Sequence, residues 1–121
     1  MFAPSLGLVL LFVDSPEKSR EFYTMLLQLE PLESSPTFCM FALENDVNLG
    51  LWSRHTAEPL VSAQPSTAEI CFSVDNVDEV FAEMKKRNIP MVQEITDMDF
   101  GRTFVAHDLD GHRIRIYRLH E

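Results

Sequence analysis

Apolar and polar positions alternate along this chain in a pattern that occurs twice. Leu6 to Val13 is an unbroken apolar run with strand-forming residues, which reads as a strand buried on both faces. Asp14 or Ser15 then caps a helix, and Pro16 suits its first turn, where a missing N–H costs nothing. Asp14 and Glu17 have capping-box-like spacing. Phe22, Met25, Leu26 and Leu29 fall on one helical face, and Pro31 stops the helix. Phe38 to Leu43 and Val47 to Trp52 form a hairpin around Glu44-Asn45-Asp46.

Roughly sixty residues on, the pattern returns. Ile70, Phe72 and Val74 alternate with Glu69, Cys71 and Ser73, which predicts a half-buried strand. Asn76 caps a second helix with Glu79 three residues on; Val77, Val80, Phe81 and Met84 mark its buried face. Lys85, Lys86 and Arg87 sit at its end, where the helix dipole favours cations. Met91 to Ile95, Thr103 to His107 and His112 to Arg118 read as strands, with Asp108 to Gly111 as the last turn. Ile114 and Ile116 point one way; Arg113, Arg115 and Tyr117 point the other.

The repeat predicts an α+β domain of two β-α-β-β-β modules, about residues 5–53 and 68–118, joined by a linker over about 54–67 that carries Pro59 and Pro65. Modules of this size are marginal alone, so they should share a sheet or exchange between subunits. Two such sheets would bear a cleft, and its lining would decide function.

A net charge of −9 and a pI near 4.8 argue against nucleic acid and anionic membranes as partners. Cys39 and Cys71 each lie in an apolar run without a CxxC neighbour and read as buried, reduced cysteines. Met1 to Pro4 lacks the basic start of a signal peptide. The longest apolar run is too short to span a bilayer, so a cytoplasmic location is expected.

The two Val-Asp helix entries and the Asp108-Leu109-Asp110-Gly111 turn between late strands resemble the vicinal oxygen chelate superfamily of glyoxalases, extradiol dioxygenases and bleomycin resistance proteins. Within it, Leu49 to Ser53, Phe100 to Phe104 and Asp108 to Arg115 resemble the phenazine-resistance proteins. The resemblance to those proteins implies a metal-free binder that sequesters a planar antibiotic at a homodimer cleft. Enzymes of the superfamily bind a divalent metal at four strand positions. By that resemblance the positions fall here on Gly7, Gly50, Glu69 and Arg115. Glycine brings no side-chain donor, arginine stays protonated, and one carboxylate is too few, so no metal or other cofactor is expected.

Strand parity then groups Gly50 with Trp52, Glu69 with Cys71 and Ser73, and Arg115 with Arg113 and Tyr117. The two glycines should make room for a flat molecule that stacks on Trp52 and meets Glu69 or Arg115 at its edge. Phe38, Phe41, Met98, Phe100 and Phe104 are further candidates for ligand contact, with Asp97 to Gly101 lapping over the cleft mouth. Arg102 reads as a partner for a surface acid. His107, Asp108, Asp110 and His112 cluster but belong to a turn, and His55 and His120 read as surface residues. The favoured reading is a binding protein, with no catalytic residue assigned. The alternatives are a metal-dependent lyase, isomerase or transferase, acid–base chemistry by Glu69, and an interaction module with a degenerate cleft.

Overall fold

The expected β-α-β-β-β order is present twice in a computed structural model that describes residues 3, 5–62, 64 and 68–121. The chain divides into two compact units, Met1–Gln64 and Pro65–Glu121.

The first unit contains β1 (Leu8–Val13), α1 (Pro16–Leu27), β2 (Glu33–Ser34), β3 (Phe38–Ala42) and β4 (Asn48–Ser53). Its sheet runs β1-β4-β3-β2, with β1 parallel to β4 and the other pairs antiparallel. Ser15 caps α1 by accepting from the Lys18 amide. The helix ends earlier than Pro31 requires, because Gln28 turns left-handed and its N–H closes on the Thr24 carbonyl. Leu29 therefore lies beyond the helix and is exposed. Phe22 and Tyr23 of α1 are buried, as are Leu11, Val13, Cys39, Phe41, Leu49 and Leu51 on one face of the sheet. β1 is thus buried on one face only: Leu10 and Phe12 are half-buried on the other. Asn45 and Asp46 both take positive φ in the turn between β3 and β4, a conformation that short polar side chains tolerate.

The second unit contains β5 (Glu69–Ser73), α2 (Val77–Lys86), β6 (Met91–Met98), β7 (Gly101–His107) and β8 (Arg113–Leu119). The order β5-β8-β7-β6 repeats the first sheet, with β5 parallel to β8. The Asn76 side chain caps α2 by accepting from the Glu79 amide. Val77 and Met84 of the helix are buried, and so are Phe104, Ala106, Ile114 and Ile116 of the sheet. Phe81 meets Phe104 edge to face at 5.1 Å between ring centres. β6 reaches Met98, so Asp97 and Met98 are strand rather than part of a lapping loop, and only Asp99 and Phe100 connect β6 to β7. No helix among the described residues is long and apolar enough to cross a membrane.

Candidate functional site

Each sheet has one face packed with its own helix and a far face that the helix leaves uncovered. In the first unit, register sorts the residues. Phe12, Trp52 and Phe38 lie side by side across β1, β4 and β3, and Leu10, Gly50 and Met40 form the next row. All but Gly50 are half-buried. The Phe12 and Trp52 rings stand 6.0 Å apart at 33°. This far face is an apolar, aromatic platform without a charged side chain in either row.

The far face of the second unit is built by the same rule from opposite chemistry. Glu69, Arg113 and His107 form one row across β5, β8 and β7; Cys71, Arg115, Val105 and Gln93 form the next; Ser73, Tyr117 and Thr103 form a third. Arg115 donates to both Glu69 oxygens, at 3.0 and 3.3 Å, and its remaining terminal nitrogen donates to Gln93 at 3.3 Å and Thr103 at 3.1 Å. Arg113 pairs with the same carboxylate at 2.6 Å. The Arg115 guanidinium also lies 5.9 Å from the centre of the Phe100 ring, within cation–π range. Hydrogen bonding from Arg115 holds the Glu69 carboxyl below its ordinary range, against burial that works the other way.

Of the residues that the sequence pointed to, Trp52 and Phe38 share the first far face, and Glu69, Arg115 and Phe100 come together on the second. Met98 touches this group through Gln93, whose amide lies 3.8 Å from its sulfur. Phe41 and Phe104 do not join them. Both are 0% exposed on the helix-packed faces, because Phe41 pairs with Leu49 rather than Gly50 and Phe104 sits between Thr103 and Val105 in β7. Cys71 is exposed rather than buried, since alternation puts it on the far face with Glu69. The room expected at Gly50 is already taken: an added Cβ would stand 2.7 Å from Leu10 and 3.2 Å from Phe38. At Gly7 nothing lies within 4 Å of that position. Phe12, Leu10 and Met40 are first-face residues missing from the expected set, and their pairing with Trp52 and Gly50 is the signal that finds them; parity had already set Arg113 beside Arg115.

The four positions that the resemblance assigns to a metal, Gly7, Gly50, Glu69 and Arg115, do not bring donors that fit a divalent ion. Two are glycines, one is a guanidinium, and both Glu69 oxygens accept from arginine. A second group, Asp108, Asp110 and His112, brings its ligand atoms within 4.8 Å of one another. Its geometry is that of a turn. Asp108 Oδ1 accepts from the amides of Asp110 and His112 at 2.9 and 2.8 Å, and Oδ2 lies 2.7 Å from His112 Nδ1. Asp108 and His112 are buried, and Gly111 takes the positive φ that the turn needs. As expected from sequence, Arg102 serves acids: it binds Asp78 at 2.7 Å and Asp97 at 3.0 Å, tying the start of α2 to the sheet. His55 lies 2.7 Å from Asp14, whose carboxyl is held low first by that hydrogen bond and then by Arg54.

Residues 5–116 match the model of the glyoxalase/bleomycin resistance protein/dioxygenase superfamily. The chain belongs to that superfamily. It is 33% identical over 120 residues to the phenazine antibiotic resistance protein EhpR of Enterobacter agglomerans, covering 93% of this chain and 91% of the relative. It is 44% identical to protein ATC0852 from Agrobacterium tumefaciens, whose solution structure matches with a TM-score of 0.88 over 98% of this chain and all of the other. TnmS3, an antibiotic binding protein from Streptomyces sp. CB03234, shares the fold at 20% identity, with a TM-score of 0.79 and 99% coverage of both chains.

Proposed function

We propose that this protein is a metal-free binding protein that sequesters a small planar aromatic, antibiotic-like molecule and so confers resistance to it. The observation that carries the reading is the row Phe12–Trp52–Phe38 on the far face of the first unit, a platform shaped for a flat ring. Supporting it, the positions that hold a metal in enzymes of the superfamily offer no such donor set here. The likeness to EhpR, a phenazine antibiotic resistance protein, points the same way. Glu69, the one carboxylate at those positions, is kept ionised by two arginines, which makes it a weak general base near neutral pH. The arrangement favours holding a guest over transforming it.

Covering about 200 Å² of ligand is worth roughly 5 kcal/mol, and aromatic stacking adds about 1 kcal/mol per contact. A micromolar complex needs about 8 kcal/mol after the cost of association. Polar contacts must therefore supplement stacking. The reading includes a homodimer, which light scattering coupled to gel filtration checks by mass.

The test uses chelator-treated protein titrated with acridine, phenazine and anthracene derivatives while the emission of Trp52, the single tryptophan, is followed. Saturable quenching by one class, with the ligand recovered unchanged after hours, is the expected result. Consumption of the ligand, or activity that appears only with an added divalent ion, would instead make the protein an enzyme.

A further inference from the structure

We infer that the guest is a planar cation whose charge is spread over its ring system, such as an N-alkylated azaarene, and that the far face of the first unit by itself selects for that charge. This builds on the sequestration proposed above and specifies the sign of what is held.

No side chain in the two rows of that face is charged. Phe12, Trp52 and Phe38 fill one row; Leu10, Gly50 and Met40 fill the other. The indole N–H of Trp52 is the single side-chain donor among the six. A carboxylate or sulfonate guest would leave water for a face with one N–H to offer it, and most of its lost hydration would go unreplaced. The opposite sign meets better material. Aromatic rings and the Met40 thioether are electron-rich, and a ring attracts a cation within about 6 Å of its centre, Trp most strongly. The Phe12 and Trp52 rings have centres 6.0 Å apart and planes 33° apart, so a ring system the size of acridine can lie against both.

The surrounding charge has the same sense. Residues 1–64 carry eight Asp and Glu against Lys18, Arg20 and Arg54, and the whole chain carries −9. A surface so acidic concentrates cations and repels anions. None of the three bases stands in either row. Arg54 pairs with Asp14 at 3.3 Å, Arg20 donates to Ser34 at 2.7 Å, and Lys18 lies in the first turn of α1.

The rows hold no carboxylate either, which narrows the class. A compact ammonium is strongly hydrated and would lose that water without an acceptor in return. A charge delocalised over a planar group is weakly hydrated, as in guanidinium, and leaves water for a π face more readily. The positive charge therefore belongs in the ring and not on a side arm.

The test is calorimetric titration of the whole chelator-treated chain slightly above neutral pH. The three compounds are N-methylacridinium, acridine, whose ring nitrogen is unprotonated there, and anthracene-2-carboxylate. N-methylacridinium is expected to bind about tenfold tighter than acridine, with the carboxylate weakest. Trp52→Leu keeps apolar area and removes the best π face, so it should bring the cation and acridine close to equal. Phe12→Leu is the milder change and should narrow their gap about threefold. Acridine that still binds this variant shows that it is folded. Equal binding of cation and acridine, tightest binding of the carboxylate, or a gap unchanged in both variants would overturn the assignment of charge while leaving sequestration standing. Failure of all three compounds to bind would overturn sequestration and this assignment together.

Discussion

The two far faces share one strand order, one pattern of parallel and antiparallel pairing and one side-chain parity, and they have almost no chemistry in common. In the first unit the rows read Phe12–Trp52–Phe38 and Leu10–Gly50–Met40; in the second, Glu69–Arg113–His107 and Cys71–Arg115–Val105–Gln93. The helix-packed faces differ far less: Leu, Val and Phe in one, Ile, Ala and Phe in the other. The repeat is therefore kept where a helix must be buried and abandoned where no helix presses. That difference separates the residues that must bury a helix from those that need not.

The largest test of this separation compares Phe104 with Trp52. Phe104→Ala opens a hole in a fully buried face and should cost about 3–5 kcal/mol in urea unfolding followed by circular dichroism. Trp52→Ala should cost clearly less stability but abolish binding of the aromatic ligand measured by calorimetry. A greater stability loss at Trp52 than at Phe104 would make the first far face core. Next comes a contrast of glycines. An added Cβ at Gly101 meets the Arg118 carbonyl oxygen, a backbone atom that β7–β8 pairing holds in place. Gly101→Ala should cost about 3 kcal/mol. Gly50→Ala meets only the mobile ends of Leu10 and Phe38, and should cost about 1 kcal/mol at most because they can give way.

The smallest effect concerns pH. Glu69 has a carboxyl pKa below its unfolded value, so its stabilisation is fully present above the unfolded value near 4.5 and is lost as pH falls through the folded one. Glu69→Gln should lower stability by about 1–2 kcal/mol near neutrality. The gap between wild type and variant should close on acidification. A gap that widens as pH falls would mean that Arg113 and Arg115 do not stabilise the charged carboxylate.

Much of this division was legible before any fold was known. Alternation along Glu69 to Ser73 and Arg113 to Tyr117 placed those side chains correctly, because polar and apolar residues take turns there. β3 and β7 gave no such signal. Phe38-Cys39-Met40-Phe41 is apolar at every position, so only pairing with β4 shows which residues face α1. The odd spacing between Phe38 and Phe41 did carry the warning that they point opposite ways. Cys71 was misplaced for a different reason: the usual habit of cysteine outweighed its parity with Glu69. β2 left no trace, since Glu33 and Ser34 are defined only by their pairing with Met40 and Cys39. The inequality of Arg113 and Arg115 could not be read either, because it depends on how many acceptors surround each one.

The exposure of Cys71 has a practical consequence. The chain carries one thiol beside Arg115 on a far face and another, Cys39, sealed under α1. An alkylating reagent added to the native protein should label the first quickly and reach the second only when the first unit opens. One mass-spectrometric time course then yields two clocks in a single molecule: labelling of Cys71 reports cover over the second far face, and labelling of Cys39 reports the breathing of the first unit's core.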